Sequence, residues 1–270
     1  MSEFFLNIGW GPTFFIYIMV IFYGERFLAG TIVGKIKFEK KVNYSRKVGH
    51  FCLFLCLMQI NELFNDPTRA FLGGVVSVVL LALSYNKYSR TKLGFLSLFF
   101  SVCFRSFDRP EDDGHTLRWL LAQYIGSYVV VIPAIIIFEK VGWEELVYIP
   151  LLINAFGDGG AEPIGILLGK HKYTTKSFIP IWDKKSRFFI RWERGKDYIR
   201  SLEGSACVLL SGVVIIFSKQ QFFSPAQFWT ALFVVPIITT LAEAKSPHTM
   251  DSPLILLTGY VSLGMILAFL

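Results

Sequence analysis

Residues 126–138 have the sequence GSYVVVIPAIIIF, and residues 254–270 have the sequence LILLTGYVSLGMILAFL; neither stretch contains a charged side chain. A soluble domain carries about 25% charged residues, whereas this 270-residue chain carries 17%, with 53% hydrophobic residues. Long uncharged runs are stable in lipid as helices, because a helix satisfies its own backbone hydrogen bonds. The composition therefore excludes a soluble enzyme, a secreted disulfide scaffold and a disordered protein, and it predicts an integral membrane protein.

Blocks of apolar residues predict eight membrane spans, so the expected fold is an all-α, polytopic membrane helical bundle. A ninth block, residues 94–104, is too short to cross about 30 Å of hydrocarbon and is predicted to be a short interfacial helix. Residues 1–270 are expected to form a single integral-membrane domain. The predicted spans cover residues 12–34, 48–64, 70–85, 118–138, 146–169, 205–218, 228–243 and 254–270.

Positive charge is concentrated in one predicted loop, residues 170–200. It contains ten Lys and Arg residues against three Asp and Glu residues, which matches the net charge of +7 of the whole chain. Because Lys and Arg accumulate on the inner side of membranes, this loop is predicted to be cytoplasmic. In a membrane protein such a loop more often anchors to the surface or binds anionic head groups and nucleotides, so no nucleic-acid partner is expected. Its stretch 178–198 interleaves aromatic and basic residues, which favours an amphipathic cap.

Two carboxylates lie inside the predicted span 146–169. Asp158 and Glu162 are four residues apart, so they share one face of a helix. Glycines and Pro163 surround them, which indicates a helix that is broken or closely packed at this point. A buried charge is costly in a membrane unless it is paired or faces water. Two carboxylates beside such a segment suit a Mg²⁺ ion held together with substrate phosphates, and the alternative is a structural ion pair with another span.

Basic residues follow this span directly. Lys170, His171, Lys172 and Lys176 lie at its predicted cytoplasmic end and are candidates for binding a polyphosphate. The alternative is a cluster of long basic side chains that only reaches the interface. The spacing around Gly165 does not match a nucleotide-binding phosphate loop, which requires a Ser or Thr after the lysine and a preceding strand.

Two further polar segments adjoin predicted spans. Ser201 and Glu203 open the span 205–218, and a helix N-terminus attracts anions, although Glu203 would also suit a simple helix-terminal charge. At the start of span 48–64, His50 lies one turn from Arg46. A histidine there would serve as a general base for a hydroxyl group, because its pKa lies near neutrality, or it would be a packed residue.

Together these segments are similar to those of a known enzyme family. The segments GDGGAEPIGILLGKHKY (157–173) and RSLEGS (200–205), with RKVGH (46–50) before them, resemble the CTP-dependent lipid-alcohol kinases. That family includes dolichol kinase, phytol kinase and the CTP-dependent diacylglycerol kinase, and it is distantly related to CDP-diacylglycerol synthase. The resemblance implies a membrane-embedded catalytic domain that uses CTP and Mg²⁺ on the cytoplasmic face.

The resemblance also implies roles for particular residues. Asp158 would hold the metal with help from Glu162, and His50 would join them as a catalytic residue. The expected nucleotide- and phosphate-binding residues are Lys170, His171, Lys172, Lys176, Arg200, Ser201, Glu203, Gly204, Arg46 and Lys47.

Three functions agree with these features. The leading hypothesis is phosphoryl transfer from CTP to a lipid hydroxyl, with an isoprenoid alcohol or diacylglycerol as acceptor. The alternative is a cytidylyltransferase that forms a CDP-lipid from CTP and phosphatidate or a similar lipid phosphate. A transporter of anionic solutes ranks third, because the sequence shows no inverted repeat with a second broken helix.

Overall fold

The structure is a computed structural model that describes residues 67–108, 115–182, 190–247 and 250–270. The predicted spans 12–34 and 48–64, and with them Arg46, Lys47 and His50, lie outside the described residues. Described residues fall into two compact units: one contains residues 76–108 and 115–117, and the other contains the remainder.

The first unit contains the end of one apolar helix and two short helices. Asn86 ends the first helix and caps the next, because its side-chain oxygen accepts a hydrogen bond from the Tyr88 backbone N–H (2.8 Å). The guanidinium of Arg90 lies 3.7 Å from the centre of the Phe104 ring. The predicted short block 94–104 is therefore a helix, packed through its aromatic side chains. The elements are α1 (Pro67–Tyr85), α2 (Lys87–Lys92) and α3 (Phe95–Phe107).

Apolar helices dominate the rest of the described chain. Three of them, α4, α8 and α9, are long and apolar enough to span a membrane, and they coincide with the predicted spans 118–138, 228–243 and 254–270. Within the described residues, three others, α1, α3 and α7, are apolar over a shorter length. The elements are α4 (Thr116–Lys140), a 3₁₀ turn (Glu144–Leu146), α5 (Tyr148–Leu152), a π-helix (Ile153–Asp158), α6 (Gly159–Leu167), α7 (Leu202–Ser218), a 3₁₀ turn (Gln220–Phe222), α8 (Pro225–Lys245) and α9 (Asp251–Phe269).

Glycine–proline contacts hold the apolar helices close together. A Cβ atom at Gly212 of α7 would lie 2.9 Å from Cβ of Pro236 in α8. A Cβ atom at Gly259 of α9 would lie 2.9 Å from Cβ of Pro150 in α5. Small residues at such crossings let helix backbones approach closely, which is the usual way helices associate where no water drives them together.

The predicted basic loop adds a β-hairpin to this helical fold. Strands β1 (Lys172–Trp182) and β2 (Ile190–Ser201) pair in antiparallel register, and the ladder shifts between Ser177 and Phe178. The expected amphipathic cap at residues 178–198 therefore consists largely of paired strands. The cause is the alternation of β-branched and aromatic residues with polar ones, which favours a strand even in a strongly basic segment.

Candidate functional site

Asp158 lies where a helix changes its hydrogen-bonding pattern. The chain runs from α5 into the π-helix and returns to α-helical geometry at Gly159. Pro163 in α6 lacks a backbone N–H, so the first turns of this helix are short of one hydrogen bond. Asp158 is buried, with 6% of its surface exposed, and Glu162 one turn later is half-buried. Single π-helical turns within α-helices occur frequently at functional sites.

Close packing joins α6 to the start of α7. A Cβ atom at Gly165 would lie 2.7 Å from Oγ of Ser201, and a Cβ atom at Gly204 would lie 2.8 Å from the carbonyl oxygen of Ala161. Neither glycine has room for a side chain without movement of its neighbour. Helix α6 and the start of α7, which are more than 30 residues apart in the sequence, are therefore one packed structure.

Ser201 connects the hairpin to α7. Its Oγ accepts a hydrogen bond from the Gly204 backbone N–H (3.1 Å), which caps the helix. The backbone N–H of Leu202 donates to the carbonyl of His171 (2.9 Å). Both ends of the hairpin are thus tied together where β2 becomes α7.

Glu203 binds the segment that follows α6. Its carboxylate accepts hydrogen bonds from the backbone N–H groups of Lys170 (3.1 Å) and His171 (3.2 Å) and lies 2.8 Å from Nδ1 of His171. Hydrogen bonds from its own backbone N–H, and next from the His171 side chain, lower the pKa of Glu203 to about 2. The backbone donors of Lys170 and His171 are engaged by this carboxylate, while the side chains of Lys170, His171 and Lys172 are exposed.

A buried ion pair attaches the hairpin to α8. The guanidinium of Arg200, near the end of β2, pairs with the carboxylate of Glu243, near the end of α8. The side chain of Glu243 is 2% exposed and that of Arg200 is 28% exposed. Sequence reasoning assigned Arg200 to phosphate binding and did not identify this partner. The sequence does contain a signal for this pair, because a carboxylate such as Glu243 within an apolar helix needs a cation nearby.

The predicted site residues occupy two levels along α6. Asp158 and Glu162 lie at its start, and Lys170 follows its end, about 13 Å further along the axis at 1.5 Å per residue. The structure brings Lys170 and His171 together with the start of α7, where Ser201, Glu203 and Gly204 lie. Lys172 pairs with Ser201 at the base of the hairpin and Lys176 lies further along β1, opposite Asp197.

The two carboxylates at the start of α6, Asp158 and Glu162, suit Mg²⁺. They are too few for a metal whose ligands all come from the protein. Within the described ranges, no three His, Cys, Asp or Glu side chains come together in a way that could hold a metal ion. Mg²⁺ needs only one or two carboxylates and takes its other ligands from water and substrate phosphates. Asp158 and Glu162 supply this number.

Comparison with known proteins finds no relative for this chain. No protein-family model, no curated protein and no solved structure matches it.

The contact between α6 and α7 predicts a large difference between two glycine substitutions. Gly204→Ala places a methyl group against the Ala161 carbonyl, so we expect a fall in melting temperature and loss of site function. Gly264→Ala in α9 is the matched control, because its nearest atom would be 3.9 Å away. A helical Gly→Ala change with free space stabilises by about 0.5–1 kcal/mol, so this variant should melt at or above wild type. Equal melting curves for the two variants would contradict the packing.

The lowered pKa of Glu203 predicts how its contribution depends on pH. A carboxyl whose pKa falls on folding stabilises the protein above its unfolded value, here 4.5, and this effect disappears as the pH falls towards about 2. The difference in melting temperature between wild type and Glu203→Gln should be constant from pH 8 to about 5 and shrink below that. Glu145→Gln, which removes an exposed pair with Lys219, should have little effect throughout. A difference that grows on acidification would contradict the assignment.

Proposed function

We propose that the chain is a multi-pass membrane phosphotransferase that transfers a phosphoryl group from CTP to a lipid hydroxyl, with Mg²⁺, at the cytoplasmic face. The acceptor is an isoprenoid alcohol, such as dolichol or phytol, or diacylglycerol. The observation that carries the proposal is the packing of α6 against the start of α7. It joins a buried carboxylate, a π-helical turn and an exposed basic segment in one elongated site.

The length of this site suits a nucleoside triphosphate. Asp158 and Glu162 would hold Mg²⁺, which neutralises charge on the phosphates when bound. About 13 Å along the helix, the ammonium groups of Lys170 and Lys172 are exposed and offer charge to the phosphate chain. Glu203 holds the backbone of Lys170 and His171 against the start of α7 through its hydrogen bonds.

Catalysis of phosphoryl transfer requires positioning and charge neutralisation more than covalent chemistry. Glycines in α6 and α7 make the support rigid, because the two backbones lie in direct contact. The acceptor hydroxyl needs a base or a hydrogen-bond acceptor, and His50, outside the described residues, is the candidate that the resemblance supplies. Helices α4, α8 and α9, long and apolar enough to span a bilayer, would hold the site at the membrane, where the lipid acceptor enters sideways.

A label-transfer assay tests the proposal. The purified chain in liposomes receives Mg²⁺, mixed lipid acceptors and CTP labelled at either the γ- or the α-phosphate. We expect label in the extracted lipid from γ-labelled CTP alone. Label from the α-phosphate alone would identify a cytidylyltransferase and refute the kinase, and absence of transfer from both would refute both activities.

A further inference from the structure

The base of the β-hairpin contacts the helices through one face. Tyr173 Oη lies 2.7 Å from Oγ of Ser205 in α7, and Arg200 forms its ion pair with Glu243 of α8. Tyr173 and Arg200 are directly opposite each other in the ladder, and both are half-buried. This pair of positions therefore marks the face that is directed towards the protein.

The alternate positions at the base are exposed. Thr174 and Ile199 are paired in the ladder, and both are exposed, Ile199 by 72%. Lys172, two residues before Thr174, is also exposed. Since successive strand residues belong to opposite faces of a ribbon, one face at the base of the hairpin is covered and the other is open.

The distal part of the hairpin differs in composition from its base. Beyond the register shift, residues 178–182 pair with residues 190–194, and six of these ten residues are hydrophobic, including Trp182 and Trp192. A two-stranded ribbon has no second layer and cannot form a core of its own. The hydrophobic residues of such a ribbon are stabilised only by contact with a surface outside the ribbon.

The position and charge of the hairpin indicate a lipid surface. Its base lies at the ends of α6, α7 and α8. The eleven paired positions of the ladder extend about 35 Å, about three times the 10–12 Å diameter of a helix. Residues 170–200 contain ten basic and three acidic residues. Tryptophan favours the membrane–water interface, and clusters of Lys and Arg favour anionic lipids.

We propose that the distal part of the hairpin, residues 178–182 and 190–194, docks on the anionic lipid head groups of the surrounding membrane. Trp182 and Trp192 supply side chains of the type that favours the membrane–water interface, and Arg191 and Arg194 supply positive charge for anionic head groups. This docking does not depend on the proposed enzymatic activity, because it requires neither nucleotide nor acceptor.

Photo-crosslinking in the full chain tests this docking. Trp192→p-benzoylphenylalanine is reconstituted into nanodiscs of phosphatidylcholine alone or of phosphatidylcholine with phosphatidylserine, and lipid adducts are measured by mass spectrometry. Val261→p-benzoylphenylalanine is the control, because Val261 lies in α9 and is 52% exposed. It should react with lipid equally in both membranes and at any salt concentration.

We expect adducts at position 192 to be several-fold more abundant with phosphatidylserine and to be lost at high salt. Adding Arg191→Gln and Arg194→Gln should reduce the anionic-lipid adduct by about fivefold for each arginine. Equal yields in the two membranes would overturn the proposal. Crosslinks to the chain itself or to a second copy, in place of lipid, would also overturn it.

Discussion

Asp158→Asn is expected to lower lipid phosphorylation by about two to three orders of magnitude or more while the fold is retained. The side chain is buried, and asparagine has the same shape, so the packing of the π-helix remains. The substitution removes one of the two carboxylate charges that would hold Mg²⁺ in the proposed site. Since Mg²⁺ prefers charged oxygen ligands and is reluctant to lose its water, the remaining carboxylate would hold it poorly.

Transfer of label from γ-labelled CTP measures this loss, with Mg²⁺ varied over a wide range. Glu162→Gln should retain more activity than Asp158→Asn and require more Mg²⁺, because Glu162 is half-buried and only assists in holding the metal in the proposed site. Asp251→Asn is the matched control. Asp251 is another carboxylate near a helix terminus, and its Oδ1 accepts a hydrogen bond from Gln123 (3.1 Å), which asparagine can also accept. This variant should keep wild-type activity.

Thermal melting separates a catalytic from a structural effect. Wild type should melt at a higher temperature when Mg²⁺ and CTP are added together, because a ligand that binds only the folded state stabilises it. Asp158→Asn should melt near wild type without ligands and gain little from them. Activity of Asp158→Asn within a few-fold of wild type would refute a catalytic role for Asp158. A melting temperature far below that of wild type would show that its role is structural.

Helix positions follow from the sequence because long apolar runs without charge are typical of helices that can span a membrane. Uncharged runs predicted spans at 228–243 and 254–270, and the helices occupy Pro225–Lys245 and Asp251–Phe269. The few-residue extensions arise from local capping that hydropathy does not contain. Ser224 and Gln227, for example, form a reciprocal capping box before the apolar part of α8 begins.

Residues 170–200, predicted to be a basic loop, contain the hairpin because strand-forming residues occur among their many positive charges. Ten basic residues favour a solvated loop, yet the stretch Lys172–Trp182 contains β-branched and aromatic residues at the density of a strand. Its pairing with Ile190–Ser201 also depends on a register that local composition does not determine. Strand-forming residues and a high density of basic residues are present in the same stretch, and the structure shows the strands.

Long-range pairing at the candidate site could not be predicted from spacing. The carboxylates Asp158 and Glu162 were identifiable because charge within an apolar run is costly. The role of Glu203 in binding the backbone of Lys170 and His171 depends on how α6 meets α7. That meeting is set by the close approach of Gly204 to Ala161 and of Gly165 to Ser201. The sequence indicates which residues are unusual in a membrane, and packing decides which of them meet.

Arg200→Met is expected to destabilise the fold more than Glu243→Gln, although both remove the same ion pair. Met keeps much of the arginine stem but leaves the Glu243 carboxylate, 2% exposed, without this guanidinium. Breaking a buried pair in this way costs about 3–5 kcal/mol. Glu243→Gln leaves a guanidinium that is 28% exposed and accessible to water, so its cost should be nearer 1–2 kcal/mol.

Reversible unfolding of the three variants in detergent measures this asymmetry. The double variant Arg200→Met/Glu243→Leu should recover most of the stability lost in Arg200→Met, because well-packed apolar residues often replace a buried ion pair without loss. A fourth variant, Glu243→Leu alone, completes the double-mutant cycle, which isolates the energy of the pair itself. Equal losses in both single variants, or additive losses in the double variant, would mean that the carboxylate does not depend on Arg200 and that other contacts attach the hairpin to α8.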